Sequence, residues 1–141
     1  MKPSRRDLAW LLPAMAAAQT AAKKDTVLPA AALRWEDLKP AKNGNAVSRQ
    51  MMTGDTHTGY RIDLHETELP AGEMPHAPHS HVHEELLLIR EGQLEVTIAG
   101  KMTRLGPGSV AYLASKQEHG WKNVGSGPAR YFVIALGDDK V

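Results

Sequence analysis

Between Pro75 and Glu85 the chain reads Pro-His-Ala-Pro-His-Ser-His-Val-His-Glu-Glu, crowding four of its seven histidines and two carboxylates into eleven residues. In an extended segment, successive side chains alternate between faces. His79, His81, His83 and Glu85 then share one face, while Ser80, Val82 and Glu84 take the other. Neutral imidazole mixed with carboxylate suits first-row divalent metals, whereas a calcium or magnesium site is built from oxygen. Taken by itself, the stretch also fits a solvated, His-rich tract.

A metal cluster of this kind needs rigid strands to hold it, and the rest of the chain is patterned to supply them. After the turn signal Asn43-Gly44-Asn45, short strand-like pieces are predicted over roughly 46–53, 59–69, 81–90, 93–99, 101–105, 109–114, 118–124 and 129–136, separated by glycine, proline and Asn/Asp clusters. Many short, evenly spaced strands indicate an all-β barrel or sandwich. Leu94-Glu95-Val96-Thr97-Ile98 alternates cleanly, as a strand with one buried and one wet face does. Glu85 to Ile89 and Tyr131 to Leu136 are instead apolar on both faces. Their outer face therefore needs a cover, which could be a second sheet, the N-terminal arm or a second subunit, the last making a homodimer. Gly92 and Gly100 fall between strands, where positive φ is often required.

With 141 residues the chain suffices for one domain. A formal net charge of +1 gives no reason to expect nucleic acid or a charged membrane surface as partner. Cysteine is absent, so any metal chemistry must run on nitrogen and oxygen ligands, without disulfides or a thiol nucleophile. Residues 1–22 have the layout of an export signal: the basic start through Arg5-Arg6, the apolar run Leu8 to Ala18, then small residues to Ala22. The paired arginines point to a twin-arginine signal, and the apolar run is well short of the roughly twenty residues that span a bilayer. Residues 23–45 read as an entry arm anchored by Leu33 and Trp35, and 46–141 as the β domain. The protein is thus expected to be exported, periplasmic or extracellular.

The stretch from Gly72 to Asn123 resembles the cupins, which fold as a double-stranded β-helix, or jelly-roll, barrel. The first cupin motif runs Gly, five residues, His-x-His, three or four residues, Glu, six residues, Gly. His79, His81, Glu85 and Gly92 fit this spacing, and only Gly72 stands one residue too far away. In the second motif Gly108, His119 and Asn123 keep their spacing, while Ala114 replaces the proline and Lys116 the glycine. The resemblance implies that His79, His81, Glu85 and His119 bind one metal ion inside the barrel, leaving one or two coordination positions open. His83, of the same parity, is the rival ligand. Manganese or iron is favoured, because a twin-arginine substrate folds, and so loads its metal, before export; zinc, nickel and copper are the other candidates.

Around this set, His76 is expected as a loop residue or a group at the barrel mouth, His57 and His65 as surface or structural residues, and Glu84 pointing away from the site. Trp121 is either a core aromatic or a substrate-contacting ring, and Asn123 a turn-holding side chain. Tyr112 and Arg61 are candidates for a general acid and an anion clamp. The function expected is that of an exported, single-domain metal-binding cupin. It is either an enzyme on a small organic acid or carbonyl compound or a non-catalytic module that binds a metal or small ligand, since a fold does not decide between them.

Overall fold

The computed structural model describes residues 27–138, so the export signal expected over 1–22 lies outside the described residues. Nine strands follow a single 3-10 turn at Trp35–Asp37: β1 (Pro40–Asn43), β2 (Ala46–Asp55), β3 (Arg61–Leu69), β4 (Glu84–Glu91), β5 (Leu94–Ile98), β6 (Lys101–Leu105), β7 (Val110–Leu113), β8 (His119–Asn123) and β9 (Ala129–Leu136). All eight expected strands are present. The arm adds β1, which pairs with the start of β2, and Val27 bridges Asp55 at the far end of β2.

The strands form two antiparallel sheets, one ordered β1-β2-β3-β9-β4-β7 and the other β6-β5-β8. The last strand, β9, is inserted between β3 and β4, so the large sheet closes only when the C-terminal strand docks. The clean alternation of β5 is realised: Leu94 and Val96 are buried in a core shared with Trp121 of β8 and with Leu69, Leu87, Ile89, Leu113, Tyr131 and Val133 of the large sheet. An all-β fold with two facing antiparallel sheets fits the expected jelly-roll.

One boundary differs from the sequence reading in a way that matters for the site. The strand expected from residue 81 begins at Glu84. His79 forms an isolated bridge with His119 of β8, in the small sheet, whereas Glu84 already pairs with Leu136 of β9, in the large one. Residues 80–83 are therefore the corner where the chain changes sheets, and a corner cannot be a ladder member of either. The His81 carbonyl accepts a hydrogen bond from Lys116 N at 2.7 Å instead.

The outer face of the large sheet carries two cross-strand rows, Leu64–Ile134–Leu86–Tyr112 and Glu66–Phe132–Leu88–Val110. The arm covers one end. There the Trp35 ring lies 4.2 Å from the Arg49 guanidinium and 5.1 Å from that of Arg90, and Arg90 Nη1 donates to buried Glu66 Oε1 at 2.7 Å. Burial pushes the Glu66 carboxyl up from its ordinary range, against the pull of the arginines. Leu33, expected as a second anchor, is instead exposed. At the other end Leu88, Val110 and Tyr112 remain 37%, 59% and 53% exposed.

Turn chemistry fixes the connections. Ala99 and Gly100 both have positive φ, as a two-residue type I′ hairpin between β5 and β6 requires. Gly92 also has positive φ, and a Cβ there would lie 2.7 Å from Ala129 Cα, so no other residue fits. Asn123 is fully buried; its Nδ2 donates to the carbonyls of Leu69 and Gly127, and its Oδ1 accepts from Gly125 N. It holds a turn, as expected.

The turn before β8 retains a backbone made for glycine. Gln117 N donates to Ala114 O, and at the third position of that turn Lys116 has φ 62°. A side chain in this region costs roughly 1–2 kcal/mol, while glycine loses about 0.5–1 kcal/mol of extra chain entropy on folding. Lys116→Gly is therefore expected to raise stability by about 0.5 kcal/mol. In chemical denaturation this is a higher midpoint at unchanged slope; a lower midpoint would show that the turn is not strained.

Candidate metal centre

Three parts of the chain bring the histidines together. His79 comes from the bridge to β8 that precedes the corner, His81 from the corner itself, Glu85 from the second residue of β4, and His119 from the first residue of β8. The bridge between His79 and His119 is reciprocal, His79 N to His119 O at 3.0 Å and His119 N to His79 O at 2.9 Å. Gly120 permits this approach, since a Cβ there would lie 3.1 Å from the Pro78 ring. The ring centroids of His79, His81 and His119 then stand 4.8–5.2 Å apart. One donor atom from each lies within 4.8 Å of the others, and the same holds for His81, His83 and Glu85.

The hydrogen bonds around the cluster determine which nitrogens face inward. His81 Nδ1 lies 2.8 Å from His83 O, and His119 Nδ1 lies 2.8 Å from Gln117 O. A carbonyl only accepts, so Nδ1 carries the proton in both rings and Nε2 presents its lone pair. Those two Nε2 atoms and Glu85 Oε2 are buried with no hydrogen-bond partner. They face one another: Oε2 is 3.4 Å from His81 Nε2 and 3.6 Å from His119 Nε2. Three converging acceptors cannot satisfy each other, and an unsatisfied buried polar atom costs about 1–3 kcal/mol. A cation at their meeting point satisfies all three, so the donor set fits a divalent metal ion of the nitrogen- and oxygen-preferring kind. Burial first, and then the neighbouring His76, His119 and His81, hold the His79 imidazole below its ordinary pKa, in the neutral form that ligates.

The structure thus gathers all four residues named from the sequence, together with His83, whose ring lies parallel to His81 at 3.6 Å. His76 packs edge-on against His79 at 4.4 Å and Trp121 at 5.2 Å. Trp121 is a core aromatic: it is buried, parallel to the His119 ring, and donates through Nε1 to Tyr131 Oη at 2.9 Å. Burial raises the Tyr131 phenol well above its usual pKa, so it stays protonated. Glu84 points away, as alternation predicts, and accepts a hydrogen bond from Tyr112 at 2.6 Å on the outer face. Tyr112 is therefore not beside the cluster. Arg61 pairs with Asp55 and Asp138. His65, expected as a surface or structural residue, faces Asp63, whose Oδ1 lies 3.3 Å from its Nδ1. Two residues apart on a strand means one shared face, which was the available signal.

The family model described as "Cupin domain" matches residues 65–135. No curated protein matches the chain. Solved structures do. An RmlC-like cupin from Shewanella frigidimarina is 15% identical over 77% of this chain and 91% of its own, with a TM-score of 0.65. The polyketide cyclase RemF from Streptomyces resistomycificus is 19% identical over 78% and 81%, also at 0.65. A predicted oxalate decarboxylase from Thermotoga maritima is 18% identical over 77% and 100%, at 0.64. At such identities the likeness is one of fold. Because the family match spans half of the sequence and takes in the corner segment, β4 and His119 together, the chain belongs to the cupin domain family.

Proposed function

We propose that this chain is an exported single-domain cupin which holds one divalent metal ion on His79, His81, Glu85 and His119 and acts on a small organic acid or carbonyl compound. The observation that carries the reading is the convergence of three buried, unpartnered acceptor atoms, His81 Nε2, His119 Nε2 and Glu85 Oε2. Once bound, such an ion supplies Lewis acidity at its open positions. The protein's share is to keep both imidazoles in the ligating tautomer through the His83 and Gln117 carbonyls, with buried Trp121 stacked beside His119. Two of the structures similar in fold carry enzyme names, a polyketide cyclase and a predicted oxalate decarboxylase. A non-catalytic binding module is the second reading. It is favoured by the engagement of the two acid and anion-clamp candidates elsewhere, Tyr112 with Glu84 and Arg61 with Asp55 and Asp138.

Metal analysis and turnover separate these readings. Protein from its own host is expected to carry manganese or iron near one per chain, and His119→Ala to lose most of it; copper or zinc at that level would overturn the assignment. A panel of keto acids, enols and sugar derivatives, with metal-stripped protein as control, tests catalysis. Inactivity of the metal-loaded form throughout favours the binding module.

The exposed apolar end of the large sheet supports a homodimer, in which a second copy covers Leu88, Val110 and Tyr112. Sedimentation equilibrium is expected to give twice the chain mass and Leu88→Glu a monomer, whereas a wild-type monomer would contradict the dimer. The export reading rests on residues 1–22 alone. Cell fractionation should find the protein outside the cytoplasm, and the double change Arg5→Lys, Arg6→Lys should retain it inside; equal export of both would count against a twin-arginine route.

A further inference from the structure

We infer that His83 is a positioning residue for the cluster: it sets the orientation of both His81 and Glu85 without taking a coordination position itself. The inference rests on the metal reading above and adds to it the residue that controls how tightly, and in what geometry, the ion is held.

Three contacts converge on His83. Its backbone carbonyl accepts the His81 Nδ1 proton at 2.8 Å, which fixes the tautomer that leaves His81 Nε2 free. Its ring stacks on His81, with 3.6 Å between centroids and 9° between planes, which fixes the plane of the ligating imidazole. Its Nε2 lies 3.4 Å from Glu85 Oε1, while the other carboxylate oxygen, Oε2, faces His81 and His119. Since a carboxylate only accepts, the His83 Nε2 in this contact is the proton-bearing nitrogen. The Glu85 carboxylate is thus divided, one oxygen tied to His83 and the other turned into the cluster.

The same geometry argues against His83 as a ligand, although it groups with His81 and Glu85 on distance alone. Its Nε2 lone pair is replaced by a proton directed at Oε1. In addition, the rings are parallel and stacked, so the lone-pair axes of two Nε2 atoms reaching toward the same carboxylate would run side by side. An ion lying on the His81 axis would sit well off the His83 axis. Both side chains are largely withdrawn from solvent, His83 at 16% and Glu85 at 13% exposure.

Removing such a supporting group typically costs 10–100-fold in metal affinity. The test is a titration of the metal-stripped full chain with Co(II), read by the visible spectrum and by competition with a chelator. Wild type is expected to take one ion per chain. His83→Ala should still take one at saturation, with a dissociation constant raised about 10–100-fold and a shifted visible band. His83→Gln, which keeps a donor for Oε1, and His83→Phe, which keeps the stack, should each recover part of the affinity, and the melting temperatures of the metal-free proteins should agree.

Affinity and spectrum unchanged in all three variants would overturn the inference. So would a complete absence of uptake at saturation by folded His83→Ala and His83→Phe, which would make His83 a ligand. Failure of the wild-type chain itself to bind Co(II) is a separate outcome: it removes the metal reading, and this inference with it.

Discussion

The two backbone hydrogen bonds between His79 and His119 are the constraint on which the site depends. They tie the segment entering β4 to the start of β8, two parts of the chain separated by the whole β4–β7 excursion. Because His79 belongs by this bridge to the small sheet and Glu84 by its ladder to the large one, the intervening residues must turn the corner of the barrel. His81 sits at that corner, its carbonyl held by Lys116. Both sheets must therefore be assembled before His79, His81, Glu85 and His119 can meet, and the cluster is a product of barrel closure rather than of a local motif.

Closure also creates the electrostatic problem that gives the cluster its meaning. In the interior, polar atoms normally find partners, and the second nitrogens of His81 and His119 do so, on the carbonyls of His83 and Gln117. The inward atoms do not. Beside them lies Trp121, stacked parallel to His119 and donating through Nε1 to Tyr131 rather than to the inward nitrogens. A low-dielectric pocket lined by acceptors selects for positive charge. Glu66 shows a different answer to a similar problem. It is buried with one unpartnered oxygen, but Arg90 neutralises the other and Trp35 of the arm closes over the arginine, so the carboxylate there serves packing.

The departures from the cupin pattern are absorbed by the backbone. Lys116 stands where the pattern has glycine, yet its φ remains in the left-handed region, because the hydrogen bond from its N–H to His81 fixes the turn irrespective of the side chain. Space is closed at Gly92, against Ala129, and tight at Gly120, against the Pro78 ring. The backbone path into the site is thus set by hydrogen bonding at Lys116 and by close approach at the two glycines.

Residue types and spacing were enough to identify the eight main strands, the apolar character of both faces of β4 and β9 and the turn role of Asn123, and they pointed to His79, His81, Glu85 and His119 as candidate ligands. All of these follow from local periodicity or from motif spacing that a linear chain displays. Alternation from His79 onward suggested one continuous strand face, however, and here tertiary pairing overrode it: an extended segment is free to choose its partners, and this one exchanges sheets at residues 80–83. For His83, parity puts it on the ligand face and motif spacing makes it the rival ligand; the ring stacked on His81 and its contact with Glu85 Oε1 come only from the tertiary structure. Tyr112 and Arg61 were open for the same reason. A residue's type states what chemistry it can do, but which face of which sheet it occupies depends on contacts far away in the chain, and those exist only once the barrel has closed.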